Sequence, residues 1–362
     1  MSGSVKTGVV GCGNVGHFHA RALSELPESE FVGVCGRDFA KTKEFGLKYG
    51  VPAFPSIEDM KRETGVEAVC VCSPHPVHRE NSVAAADLGI HLLVEKPLAD
   101  SLEGCDAILH AAAVNTVKVG TISQRRYYTP CLRIKHAIDS GKIGKPMLGV
   151  VTLFGWRDEA YYGSAAWRGT WGGEGGGVLV NQAPHQLDLL LWYMGEAQEV
   201  YGMHDNFNHP YIEVEDTAAA VVRFKSGGIG SILVSNSVDP ALYGKVQVFG
   251  DNGAAVGVQT DGGAMFIAGV SSITEPPVND LWTVPGETNM LDQWKNEEYE
   301  FYKTIDPTQH FHTVQIKDFL SSLINNEPVM VDGHAGRRTV ELFSAIYRSQ
   351  RDGRPIKLPL DA

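Results

Sequence analysis

Across the first 122 residues, apolar runs alternate in strict rotation with amphipathic segments, and this rotation narrows the possible folds more than any other feature. Segments 7–10, 31–35, 67–72, 91–94 and 117–121 read as strands, and 15–26, 39–49, 77–88 and 102–113 as the helices between them. Such a rotation predicts βαβ units and a parallel sheet. The unbroken apolar run Ala68-Val69-Cys70-Val71-Cys72 suits a strand covered on both faces.

The pattern changes after Gln124. A helix is expected over about 130–140, stopped by Gly141. Longer strand candidates follow at 147–156, 199–202, 217–224, 230–235, 245–249 and 264–267. Glycine pairs such as Gly227-Gly228 between them suggest antiparallel hairpins. Residues from about 270 to 307 show no period and read as a long functional or interface loop. Helices are expected again at about 312–325 and 336–351. The fold class is therefore α/β: a parallel-sheet domain over 1–123, then an α+β domain over 124–362 on a large, mostly antiparallel open sheet. The last helices are free to pack back on the first domain.

Gly11-Cys12-Gly13-Asn14-Val15-Gly16 has the spacing GxGxxG, directly after the first strand and opening the first helix. That context marks a Rossmann dinucleotide site. Gly11 serves the tight turn, Gly13 the approach of a pyrophosphate, and Gly16 the packing of helix on strand. Free N–H groups at the helix start receive the anion. About twenty residues on, an acid would read a ribose 2′-hydroxyl. Here the second strand ends in Gly36-Arg37-Asp38. Gly36 takes the acid's place and Arg37 suits a 2′-phosphate, which favours NADP without excluding NAD. Asp38 either reads the ribose or caps the next helix.

The fourth parallel strand ends in Glu95-Lys96-Pro97, which puts a lysine where ligands bind such sheets. A cationic nicotinamide beside it would suit proton transfer from an alcohol. Taken alone, the lysine also reads as a solvated residue before a helix-starting proline. Downstream, a glycine-rich lead runs into Asn181, His185 and Asp188, spaced to share one helical face. A buried His185 satisfied by Asp188 is the plain alternative to a catalytic one.

Together these residues resemble the Gfo/Idh/MocA oxidoreductases, the group of glucose–fructose oxidoreductase and inositol dehydrogenase. The resemblance runs through GCGNVG, Ser73-Pro74 with His78, Glu95-Lys96-Pro97, Gln124-Arg125-Arg126, Trp167-Arg168, the lead into His185, and Gly336-Arg337-Arg338. It implies Lys96 and His185 as the acid/base pair, with Asn181 standing where the family commonly has aspartate. An amide can hold a substrate hydroxyl or orient His185 but carries no proton. Cofactor contacts are expected from Gly11, Gly13, Asn14, Val15 and Gly16, from Gly36, Arg37 and Asp38, and from Ser73, Pro74, His78, Glu95, Lys96, Pro97 and Gln124. Trp167 and Arg168 read either as closing over the nicotinamide or as a loop anchor. Substrate contacts are expected from Lys96, Arg126, Trp156, Asn181 and His185. The resemblance also implies a homo-oligomer joined through the open sheet.

Composition limits the rest. Over 362 residues the formal charge is −12, which disfavours nucleic acid and anionic membranes. No run approaches the ~20 apolar residues of a membrane span, and no signal-peptide pattern opens the chain, so the cytoplasm is expected. Six cysteines without CxxC pairs or zinc-ligand spacing read as small buried residues, with no metal site. The expected function is NAD(P)-dependent hydride transfer to or from a secondary hydroxyl carbon of a sugar, glycoside or cyclitol, which includes oxidation at sugar C3. The alternatives are a glycosidase working through transient sugar oxidation and a non-catalytic dinucleotide sensor.

Overall fold

The computed structural model describes residues 3–260, 266–267, 270–271, 275–287 and 289–361. The chain divides into two units, each built on its own sheet. The first takes Met1–Gln124 and Thr308–Val340, and the second takes Arg125–Pro307 and Glu341–Asp361. No helix among the described residues is long and apolar enough to cross a membrane.

In the first unit, β1 (Val5–Val10), α1 (Asn14–Glu25), β2 (Ser29–Cys35), α2 (Phe39–Tyr49), β3 (Ala53–Phe54) and α3 (Ile57–Thr64) lead into β4 (Ala68–Val71). Then follow α4 (His78–Asp87), β5 (His91–Val94), α5 (Leu102–Val114) and β6 (Val119–Thr121). The strands pair in parallel in the order β3-β2-β1-β4-β5-β6. This is the doubly wound order of a Rossmann sheet. Side-chain caps start the helices: Asp38 accepts from Lys41 N for α2, Ser56 from Asp59 N for α3, and Ser101 from Gly104 N for α5. The sequence reading missed β3 and α3. The Ser56–Asp59 capping pair was the available signal.

In the second unit, α6 (Thr129–Asp139) and β7 (Pro146–Phe154) precede three short helices, α7 (Glu159–Gly163), α8 (Trp171–Glu174) and α9 (Val178–Asn181). Next come α10 (Pro184–Met194), β8 (Ala197–Asp205), β9 (Thr217–Phe224), β10 (Ile229–Ser235), β11 (Gly244–Gly250) and β12 (Ala255–Thr260). β13 (Phe266–Ile267) pairs β14 (Val270–Ser271), and β15 (Val278–Trp282) precedes α11 (Leu291–Tyr302). Residues 264 and 265 of the expected strand at 264–267 lie outside the described residues. Two long helices, α12 (Pro307–Ile324) and α13 (Gly333–Asp352), and a last strand, β16 (Ile356–Lys357), complete the chain.

The large sheet runs β15-β12-β11-β7-β10-β9-β8-β16. All its pairs are antiparallel except β7 with β10. α10 covers one face, where Gly149 of β7 leaves room for Leu190 and Met194. The other face alternates outward with Leu148, Val221, Ile229 and Leu233 exposed.

Two expectations need correction. The stretch 270–307 is not a structureless loop: it holds β15 and α11. α11 escaped notice because few aliphatic residues anchor it. Trp294 packs edge-on against Trp282 at 4.9 Å, and buried Glu298 pairs with Arg133 at 2.9 Å. Nor do Asn181, His185 and Asp188 share one helix. Pro184 has no N–H to bond backwards and opens α10 as a separate helix, with Gln182 and Ala183 between it and α9.

Candidate active site

The carboxyl ends of the parallel strands carry the residues expected at the cofactor. Gly11 has φ +104° and donates its N–H to Cys35 O at 2.8 Å. A Cβ on Gly11 would stand 2.4 Å from Ser73 N, and one on Gly16 2.4 Å from Gly11 O. Backbone therefore meets backbone at both places. Gly13 differs, since a Cβ there would meet nothing within 4 Å. It precedes Asn14 and Val15 at the start of α1, where no side chain caps the helix and no acid occupies the first turn. Open space before uncapped N–H groups fits a dinucleotide pyrophosphate.

After β2, Gly36 passes Thr42, whose Oγ1 a Cβ would approach to 2.6 Å. Arg37 is exposed, and Asp38 caps α2, so the capping alternative is the one observed. At the end of β6, Gln124 Oε1 is buried without a hydrogen-bond partner among the described residues. Gln315 of α12 holds the neighbouring backbone through Ser123 N at 3.0 Å and Thr121 O at 2.8 Å.

The Glu95-Lys96-Pro97 loop is tied from behind. His78 is buried, with Nδ1 2.9 Å from Pro97 O and Nε2 2.8 Å from Ser73 O. Burial lowers its basicity below the ordinary histidine value despite both carbonyls. His78 thus joins two loops of the site, and Ser73 Oγ accepts from Asn81 at 3.0 Å. Glu95 accepts from His19 Nε2 at 2.8 Å and from Lys96 N at 3.2 Å, and His312 Nε2 lies 3.7 Å away. Burial alone would push the Glu95 carboxyl up. The His19 hydrogen bond, with His19, His312 and Lys96 as positive neighbours, holds it down at about 2. Donor atoms of His19, Glu95 and His312 lie within 4.8 Å of one another. The direct His19–Glu95 hydrogen bond accounts for them without an ion. Lys96 itself is half-buried, and Pro74 is exposed beside Ser73.

In the second unit, His185 is 8 % exposed in the first turn of α10. Asp188 is held by Arg126, its two oxygens taking Arg126 Nε at 2.7 Å and NH2 at 2.5 Å in a buried pair. Arg126, expected at the substrate, is buried in this pair. Asn181 belongs to a polar network around Tyr161, whose Oη lies 3.1 Å from Asn181 Nδ2, 3.0 Å from the Gln182 amide and 2.8 Å from Arg168 NH1. Arg168 stacks on both Tyr161 and Trp167, each ring centre 4.5 Å away. Burial raises the Tyr161 phenol above its ordinary value against the pull of Arg168. Trp156 lies 5.2 Å from His209, which is bound at Nδ1 to Asp216 and at Nε2 to Arg157 O. Further down, Glu215 accepts from Gly177 N and Leu179 N and from Tyr347 Oη, which anchors α9.

The sequence reading missed His19, His312, Glu174, Gln182 and Asn236. A histidine inside an apolar helix, as His19 is in α1, was one available signal. A lone acid among glycines, Glu174, was another. The six cysteines are free, all but Cys12 buried. Burial pushes the Cys12 thiol up to about 11 and those of Cys35, Cys72, Cys105 and Cys131 to about 12, which makes them poor nucleophiles.

Comparison with known proteins agrees with this geometry. The profile of the oxidoreductase family with an NAD-binding Rossmann fold matches residues 5–122, and that of the GFO/IDH/MocA C-terminal domain matches 131–256. The chain is 26 % identical to myo-inositol 2-dehydrogenase of Thermotoga maritima, covering 98 % of each chain. It is 24 % identical to the scyllo-inositol 2-dehydrogenase (NAD(+)) of Bacillus subtilis, covering 99 % of this chain and 97 % of the relative. The WlbA dehydrogenase of Bordetella pertussis, solved with NADH and UDP-GlcNAcA, superposes with a TM-score of 0.85 at 27 % identity over 99 % of both chains. With an open pyrophosphate cradle, a lysine at the end of β5 and both halves matched, the chain belongs to the Gfo/Idh/MocA family of NAD-binding oxidoreductases.

Proposed function

We propose that the protein oxidises or reduces one secondary hydroxyl carbon of a sugar or cyclitol, with a sugar nucleotide oxidised at C3 as the most specific form of this reading. Open space at Gly13, on the same sheet edge that carries Lys96, is the observation that supports it most. The nicotinamide, when bound, takes or returns the hydride. In the oxidative direction the substrate C–H electron pair leaves as hydride, the O–H proton passes to Lys96 Nζ, and a carbonyl remains. Glu95, held ionised by His19, keeps a negative charge beside Lys96 and supports its protonated form after the transfer. His185 orients the hydroxyl or serves as the alternate base, and Asn181 holds a substrate group by hydrogen bonds alone. Trp156, Trp167 and Arg168 line the substrate or nicotinamide. Arg37 favours the 2′-phosphate of NADP, while the NAD-dependent relatives argue that NAD is accepted too.

The test is incubation of the purified protein with NAD or NADP and a panel containing myo-inositol and UDP-GlcNAcA. Reduced nicotinamide should accumulate with one of them, and mass spectrometry should find a product lighter by two hydrogens. Cleavage of a glycoside with no net cofactor reduction would instead favour a glycosidase. No reaction and no dinucleotide binding would contradict both.

A further inference from the structure

Among the buried acids that the proposed reaction does not use, one stands next to a residue of the expected substrate site. Glu174 stands in Gly172-Gly173-Glu174-Gly175-Gly176 and is only 1 % exposed. Its Oε2 accepts the Gly169 N–H at 2.6 Å, and its Oε1 accepts from Asn181 Nδ2. Arg168 lies 4.0 Å away as its countercharge. A carboxylate oxygen can only accept, so the Asn181 atom facing it has to be the amide nitrogen. The second proton of that nitrogen goes to Tyr161 Oη. Both N–H groups of Asn181 are therefore committed inside the protein. Whatever Asn181 offers a further partner, it offers through Oδ1.

We propose that Glu174 is the positioning residue of the substrate site: by holding both amide protons of Asn181 inward with Tyr161, it turns Asn181 into an acceptor only. The site then selects a substrate with a hydroxyl or amide N–H at that place over one with an ether or carbonyl oxygen there. This rests on the assignment of Asn181 to the substrate site in the proposed function.

Donor and acceptor arithmetic supplies the test. Glu174→Gln leaves one oxygen for two N–H donors, so either Gly169 or Asn181 faces an NH2 group. Asn181→Asp sets two carboxylates against each other in a buried place. The double variant restores one donor–acceptor pair and the original net charge, and position 181 still accepts. Thermal melts are run on all four proteins, with calorimetry of NADH and then of myo-inositol and UDP-GlcNAcA on the NADH complex. Each single variant should melt earlier and bind the responding probe about tenfold more weakly, the worth of one good hydrogen bond. The double variant should recover most of both, and NADH affinity should stay constant throughout. Among mono-O-methyl ethers of that probe, one should bind the wild type and the double variant poorly and lose this handicap in Glu174→Gln.

Additive melting effects would overturn the Glu174–Asn181 contact. Coupled melting with additive probe binding would make the pair purely structural and overturn the proposal. A wild type that binds NADH but neither probe would remove the functional reading first, and this inference with it.

Discussion

Gly11 and Gly13 belong to one turn, yet a methyl group would act differently at each. At Gly11 it would sit 2.4 Å from Ser73 N on a backbone with φ +104°, so Gly11→Ala should destabilise the first unit by about 2 kcal/mol or more. At Gly13 φ is −89°, which alanine adopts freely, and the methyl would project into empty space. Gly13→Ala should keep the wild-type melting temperature and weaken dinucleotide binding by about tenfold or more, because it blocks the approach to the helix N-terminus. Melting and calorimetry on the two variants separate a folding glycine from a binding one. Equal cofactor affinity in Gly13→Ala would remove the pyrophosphate from this turn. At this scale the sequence was most readable where a motif meets its expected context, as in the glycine turn between β1 and α1, whereas Glu95-Lys96-Pro97 acquires a role only through the resemblance. Partners far along the chain were out of reach. That Asp188 belongs to Arg126 and His19 to Glu95 depends on separations of 62 and 76 residues.

Among the elements, the boundaries that carry function are also the ones that periodicity blurs. Strands β1, β2, β4, β5 and β6 and helices α1, α2, α4 and α5 follow apolar periods and were readable to within a few residues, whereas the two-residue β3 and the short α3 were not. The turn carrying Asn181 is held instead by polar contacts, which leave no period. Glu215 is the clearest case, buried and bound to Gly177 N and Leu179 N at the start of α9 and to Tyr347. Burial raises its carboxyl from the ordinary 4.5 to about 7. A raised acid favours the folded state most at low pH. From pH 4.5 upward the unfolded chain releases this proton first, and the folded state loses about 3 kcal/mol of relative stability as pH rises through 7. The melting temperature should therefore fall between pH 5 and pH 8, and the fall should be much smaller in Glu215→Gln. A wild-type slope unchanged in that variant would assign the titration elsewhere.

At the scale of the molecule, the described residues leave apolar side chains exposed on one face of the large sheet. Leu148, Val221, Ile229 and Leu233 share it, with Ile229 opposite Leu148 across the β7–β10 pair. Apolar residues on such a face favour burial against a second copy. We expect a homo-oligomer, and Val221→Arg with Leu233→Glu should shift it towards monomer in light scattering while dinucleotide binding persists. A monomeric wild type at micromolar concentration would refute this. The two-part organisation itself was legible from the change of pattern after Gln124. The sequence left the last helices free to pack back on the first domain, and the side chains by which α12 does so, Ile316, Phe319 and Leu320, join that core from almost two hundred residues beyond β6. The central claim is that this fold exists to move a proton at Lys96 while a hydride moves beside it. Steady-state kinetics of Lys96→Ala on the responding substrate, paired with calorimetry of the dinucleotide, test it most directly. kcat should fall by about 10²–10⁴, the usual cost of a lost acid/base group, with dinucleotide affinity nearly unchanged. A variant that kept the wild-type kcat would contradict the assignment outright.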